Sequence, residues 1–237
     1  MKRHIRIIAY DRPHYLRECV ESLKKCRLLD RFSIAASIDA RPDGAHNSEV
    51  VAIARQVTAD VRLRPRLGCN KHVHLNFQEA VREEYDFYLH LEDDIVLAQD
   101  ALEMAIKFEP MLRDRQDIKQ LAMIGQDIAM DEAYRQHMGF KVIGGWSNAW
   151  GMYCDRESIE SFLREIAGDF AGEPTWDCQL TELFRAKGWS SLAFALPRSR
   201  NIGRRGAHCH SDEAFGHARR RTWSQDLIID LHKYREP

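Results

Sequence analysis

The sequence predicts an α/β fold with a mostly parallel central sheet and flanking helices. Three observations carry that expectation. From residue 5 to about residue 95, short apolar runs alternate with helically spaced apolar residues, which is the pattern of βαβ units. One run, Asp86-Phe87-Tyr88-Leu89-His90-Leu91-Glu92-Asp93-Asp94, begins apolar and ends in three consecutive carboxylates. The chain has 237 residues, 44% hydrophobic and 30% charged, enough for a sizeable core and inconsistent with wholesale disorder.

In order, Ile5 to Tyr10 reads as a first strand. Asp11-Arg12-Pro13 opens a helix, with Asp11 the expected N-cap and Pro13 near the first turn. Leu16, Cys19, Val20, Leu23 and Cys26 give that helix its apolar face. Phe32 to Ile38 is the second strand, ending in Asp39 and an Arg41-Pro42-Asp43-Gly44 turn. A helix over about 47–59, a short strand Val61 to Leu63 and a helix over about 71–84 lead to the acidic strand. Parallel pairing with right-handed crossovers follows. After the acids come a helix over about 98–113 and a strand Leu121 to Gly125. Beyond an irregular stretch, Phe140 to Ile143 is a candidate strand, followed by the glycine and aromatic segment Gly144 to Tyr153. Helices over about 156–166 and from Pro174-Thr175-Trp176-Asp177 to about Lys187, with Gly188 as the stop, precede a last strand, Ser191 to Leu196. With no repeat and no clear linker, one domain is expected over 1–237, regular to about 97 and less regular after it.

Several classes are excluded or disfavoured. A net charge of -1 gives no global attraction to nucleic acid or membrane. Cysteines at 19, 26, 69, 154, 178 and 209 include no Cys-x-x-Cys pair, which argues against a zinc ribbon. Free thiols and the short apolar run after Met1-Lys2-Arg3 lead us to expect a cytoplasmic protein without a membrane anchor.

Three adjacent acids at a strand's carboxyl end cannot all be buried without partners. They belong at the mouth of a crevice, where open α/β sheets bind ligands. Carboxylate oxygens there suit a hard divalent cation shared with phosphates. The alternative is a plain acidic turn ahead of the next helix, favoured by its dipole.

The ordered series Asp-Arg-Pro after strand one, Asp39 after strand two, Glu-Asp-Asp, the Gly-Trp segment, Trp176-Asp177 and Gly203-Arg204-Arg205-Gly206 resembles the GT-A glycosyltransferases, most closely the N-acetylglucosaminyltransferase I type. The likeness spans nearly the whole chain, although Cys178 stands where that family has a second aspartate. The resemblance implies a GT-A, Rossmann-like fold and a metal-dependent, inverting transfer of sugar from a nucleotide-diphosphate sugar, expected to be a UDP-sugar, to a hydroxyl. It implies Mn2+ or Mg2+ on Asp94, Asp93 at the ribose and Glu92 at the donor sugar. Arg12 and Asp39 fall at the base pocket, Asp177 is the catalytic base, and Arg204 and Arg205 lie in a donor-closing loop over 199–210. His208 or His210 is a candidate further ligand, and Gly144, Gly145, Trp146 and Trp150 a candidate sugar wall. The acceptor expected is a glycan or small molecule. Two rivals remain at this point: a transferase acting on a modified DNA base, suggested by Arg219-Arg220-Arg221, and a nucleotide-sugar-binding protein without activity.

Overall fold

The computed structural model describes residues 1–123, 140–166, 168, 170, 172, 174–194 and 197–203. Arg204, Arg205, His208, His210 and the run at 219–221 lie outside the described residues.

Strands β1 (Arg3–Ala9), β2 (Phe32–Ile38), β3 (Val61–Leu63) and β4 (Phe87–Glu92) pair in parallel in the order β3-β2-β1-β4. The sheet continues through β8 (Met152–Asp155), β6 (Ile118–Ala122), β9 (Ser190–Phe194) and β7 (Phe140–Gly144), giving eight strands among the described residues. Only β8 and β7 run against the rest. A separate antiparallel ribbon joins β5 (Ile95–Leu97) to β10 (Ser199–Asn201).

Helices α1 (Pro13–Lys24), α2 (Ser48–Ala54) and α4 (Ala101–Asp114) bury their apolar faces against one side of the sheet. Helices α3 (Cys69–Arg82), α5 (Arg156–Glu165) and α6 (Trp176–Lys187) cover the other. The two-residue period of β4 divides its side chains accordingly. Phe87, Leu89 and Leu91 enter the first core, whereas Tyr88 enters the second and His90 meets Phe77 and Trp176 there.

Part of that second side is ionic. Arg6, fully buried on β1, donates to Glu79 at 2.9 Å. Arg62 and Arg64 reach the same carboxylate at 2.8 and 2.6 Å, and Arg62 also pairs with Glu83 and Asp60. Three arginines thus answer three acids.

The alternation of the first four strands and the α/β class are as the sequence predicts. Several local expectations are corrected. Asp11 does not cap α1; Arg12 is the N-cap residue, and Asp11 accepts instead from Arg41 and Asn47. The acids do not lead straight into a helix, because the buried run Ile95-Val96-Leu97 forms β5 and α4 begins at Ala101. The strand expected at 121–125 is Ile118–Ala122, and the one expected at 191–196 is Ser190–Phe194. Met152–Asp155, whose first two residues end the glycine and aromatic segment and for which no strand was expected, is a central strand between β4 and β6. Ser199–Asn201, placed in the donor-closing loop, is β10, because its backbone has an open partner in β5. Gly188 does stop α6, with a left-handed φ of 67°.

Candidate active site

Chain order fixes the location. β1 leads to β2 and β3 on one side, and the chain then returns to place β4 on β1's other side. The connections diverge between β1 and β4, and a crevice forms outside the carboxyl ends of strands at such a point. Arg12 follows β1 and Glu92, Asp93 and Asp94 end β4, so both edges of the crevice carry charge.

Arg12 bridges the last two acids. One guanidinium nitrogen pairs with Asp93 and the other lies 2.8 Å from Asp94 Oδ2. Asp93 is further held by the Tyr10 backbone N–H, and its own N–H donates to Ile8. Asp94 is 6% exposed, and its Oδ1 has no hydrogen-bond partner among the described residues. The backbone of Ile202 donates to the Asp94 carbonyl. Gly203 then passes so close that a Cβ there would lie 2.2 Å from Asp94 Oδ2, which only glycine avoids.

Asp177 arrives from α6. Trp176 is buried among Phe77, His90 and Phe170, and its side chain lies beside Glu92. Asn70, on the first turn of α3, accepts from the Trp176 backbone N–H and donates to the carbonyls of Phe170 and Gly172. With the indole anchored, the next residue projects at the helix start. Asp177 makes no cap bond; Thr175 is the N-cap residue, and its hydroxyl donates to Asp177 Oδ1 at 2.5 Å.

The electrostatics agree with this picture. Burial pushes the Glu92 carboxyl up to about 7, with Asp177 and Asp93 adding to the effect. Burial likewise lifts Asp93 and Asp94 to about 6, because the Arg12 charge only partly offsets it and each feels another acid. Burial alone would lower Arg12, but the surrounding acids outweigh it and raise its pKa. Among the described residues, Glu92, Asp93 and Asp94 therefore share Arg12.

These residues fit a divalent cation. Asp94 Oδ1 is a buried hard oxygen without a partner, in a region of excess negative charge. No group of three or more ligating side chains converges among the described residues, so a cation on Asp94 would draw its other ligands from elsewhere, phosphate and water among them.

Other expected residues fall elsewhere. Asp39 spends both oxygens on the backbone N–H groups of Leu67 and Gly68, at 2.8 and 2.9 Å, and so holds the loop before α3. Trp146 is not brought to the acids. Its carbonyl accepts from Ser191 in the first half of β9, toward the sheet end opposite the carboxyl ends of β4 and β6. His90, Asn70 and Thr175 were missed as site residues; two-residue spacing puts His90 on the same strand face as Glu92, a signal present in the sequence. Cys69 was missed as well. Its side chain is exposed at the start of α3, near Glu92 and Asp177.

No family model matches the chain, and no curated protein matches it. Among solved structures, TarS of S. aureus superposes with a TM-score of 0.53 at 14% identity, covering 83% of this chain and 35% of that one. A mannosyltransferase from Pyrobaculum calidifontis, in complex with GDP-Man and Mn2+, gives 0.49 at 13% identity over 83% of this chain and 57% of that chain. A cytidylyltransferase from Leptospira borgpetersenii gives 0.49 at 13% over 79% and 74%. This chain thus spans only part of the first two. At these identities the likeness is one of fold alone, an α/β architecture of the GT-A type. No helix among the described residues is long and apolar enough to cross a membrane.

Proposed function

We propose that the protein is a metal-dependent, inverting glycosyltransferase that moves a sugar from a nucleotide-diphosphate sugar, with UDP as the nucleotide, to a hydroxyl acceptor. The observation that carries the reading is the gathering of Glu92, Asp93 and Asp94 at Arg12, with Asp177 beside Glu92 and Asp94 Oδ1 buried and without a partner among the described residues. A fold needing only a turn there would not retain three carboxyls that burial disfavours in their charged form.

Asp94 would hold the cation, which when bound supplies positive charge against the diphosphate leaving group. Asp93, fixed by Arg12 and Tyr10, faces the nucleotide side, and Glu92 the donor sugar. Asp177 accepts the proton of the acceptor hydroxyl on one oxygen while Thr175 fixes the other. Arg12 stands ready to turn from the acids toward the donor's negative charge. Arg204 and Arg205 follow Gly203 directly in the chain and are proposed as further partners of the diphosphate. His208 and His210 stay candidates for the cation.

Donor hydrolysis across a panel of nucleotide sugars, with and without Mn2+, tests the reading. We expect turnover of a UDP-sugar that needs the metal. Metal-independent turnover would remove the cation from the account, and inertness toward every donor and acceptor pair would leave a binding protein instead.

A further inference from the structure

His90 lies beneath the site and has no role in the mechanism as described so far. Its side chain is fully buried, and neither ring nitrogen has a hydrogen-bond partner among the described residues. Burial holds the imidazole neutral, with its pKa lowered to about 3. A neutral imidazole carries one N–H donor and one acceptor, and leaving both unmet in a core is costly. Leucine or phenylalanine would fill the space between Phe77, 5.9 Å away by ring centroid, and Trp176, 4.9 Å away, without that cost. Nε2 lies 3.8 Å from Glu92 Oε1, beyond hydrogen-bond range by less than an ångström, and the Asp177 charge also bears on the ring. The Trp176 side chain lies beside the same Glu92 carboxylate. His90 and Trp176 thus flank Glu92 from below.

We propose that His90 is a positioning residue for Glu92: its Nε2–H closes onto Oε1 when the cleft is filled, and with the Trp176 N–H holds the carboxylate turned toward the donor sugar. This rests on the reading of Glu92 as the donor-sugar contact. Two anchored donors would leave Glu92 a single orientation, so the sugar contact is made without first ordering a free side chain.

Two variants test it. His90→Phe keeps the aromatic packing and removes the N–H; His90→Gln places an amide N–H near the position of Nε2. Binding of UDP and of the UDP-sugar, each with Mn2+, is measured by calorimetry on the full chain. In His90→Phe the extra affinity that the sugar confers over UDP should fall roughly tenfold, since a hydrogen bond to a charged group is worth about that much, while UDP binding holds. His90→Gln should recover most of it. Equal sugar increments in wild type and His90→Phe, or equal losses for UDP and UDP-sugar, would overturn the inference. If instead Glu92→Gln leaves the sugar increment intact, the reading of Glu92 fails, and the positioning role with it. A second readout is independent of turnover: the His90 imidazole N–H resonance of the ligand-saturated protein should sit on Nε2 and move in Glu92→Gln. A proton on Nδ1, or a resonance indifferent to that substitution, would contradict the proposal.

Discussion

Two buried ionic clusters lie on the same small sheet and behave in opposite ways. Under α3, Arg6, Arg62 and Arg64 meet Glu79, Glu83 and Asp60, and all three acids are held below their usual range. For Glu79 and Glu83 burial pushes the other way, but the arginine hydrogen bonds and charges outweigh it. At the carboxyl end of β4, Glu92, Asp93 and Asp94 have only Arg12 among the described residues and are all raised. Glu79 is as buried as Asp93 and Asp94, so burial of a carboxyl does not by itself distinguish the clusters. Charge balance does. A balanced cluster serves the fold, and an unbalanced one has charge to spare for a ligand.

The largest expected effect separates chemistry from charge. Asp177→Asn keeps the size of the side chain and a partner for Thr175 but cannot take a proton. Steady-state assays should show transfer lost by roughly 10²–10⁴-fold with donor binding nearly unchanged. Near-normal turnover would make Asp177 a bystander of its helix start.

The next breaks the balanced cluster. Arg6→Met should cost about 3 kcal/mol in denaturant unfolding, since it strands part of two acids in the core. Activity per folded molecule should hold. A loss of activity without a loss of stability would place this cluster in the site after all.

The third concerns pH. A carboxyl whose pKa is higher in the fold than in the unfolded chain binds its proton more tightly when folded. Glu92, Asp93 and Asp94 move from 4.5, 3.8 and 3.8 to about 7, 6 and 6. Their contribution is therefore present below pH 4 and lost as pH rises through 6 and 7. Unfolding of the metal-free protein should show stability falling across that window, and Glu92→Gln should flatten the fall and gain on the order of 1–3 kcal/mol at pH 8. The opposite slope around the balanced cluster, whose acids are depressed, confines its loss to lower pH. A wild-type curve unchanged by Glu92→Gln would refute the difference between the clusters.

The smallest effect is a control. Arg17 and Glu49 form a 2.5 Å pair at the surface. Glu49→Gln should change stability by less than about 0.5 kcal/mol, because water screens both partners. A larger value would mean that pairing itself, without burial, is what stabilises this protein.

Much of this was legible in the sequence because it rests on local periodicity. The β4 run alternates between two cores, and its terminal acids have no place in either, so both strand and crevice can be read directly. The helix at Trp176 is bounded by Thr175 and Gly188, as its residues predict. What could not be read depends on long-range pairing. Ser199–Asn201 is a strand only because β5 offers it an edge, and Met152–Asp155 only because β4 and β6 flank it. Asp39 looks like a ligand by position, yet its oxygens are taken by Leu67 and Gly68, nearly thirty residues on. The resemblance places Trp146 in a sugar wall, whereas the direction of β7 carries it toward the other end of the sheet. The Arg6 cluster was invisible for the same reason, since its partners come from β1, β3 and α3.

The central claim is that the unbalanced cluster is completed by a cation and a nucleotide diphosphate. Calorimetric titration of UDP into wild type and Asp94→Ala, each with and without Mn2+, measures it directly. The account predicts metal-dependent binding in wild type, weakened by roughly 100-fold or more in the variant, with the fold intact because Asp94 lies at a strand end. Equal affinity in the two proteins, or binding indifferent to Mn2+, would contradict it.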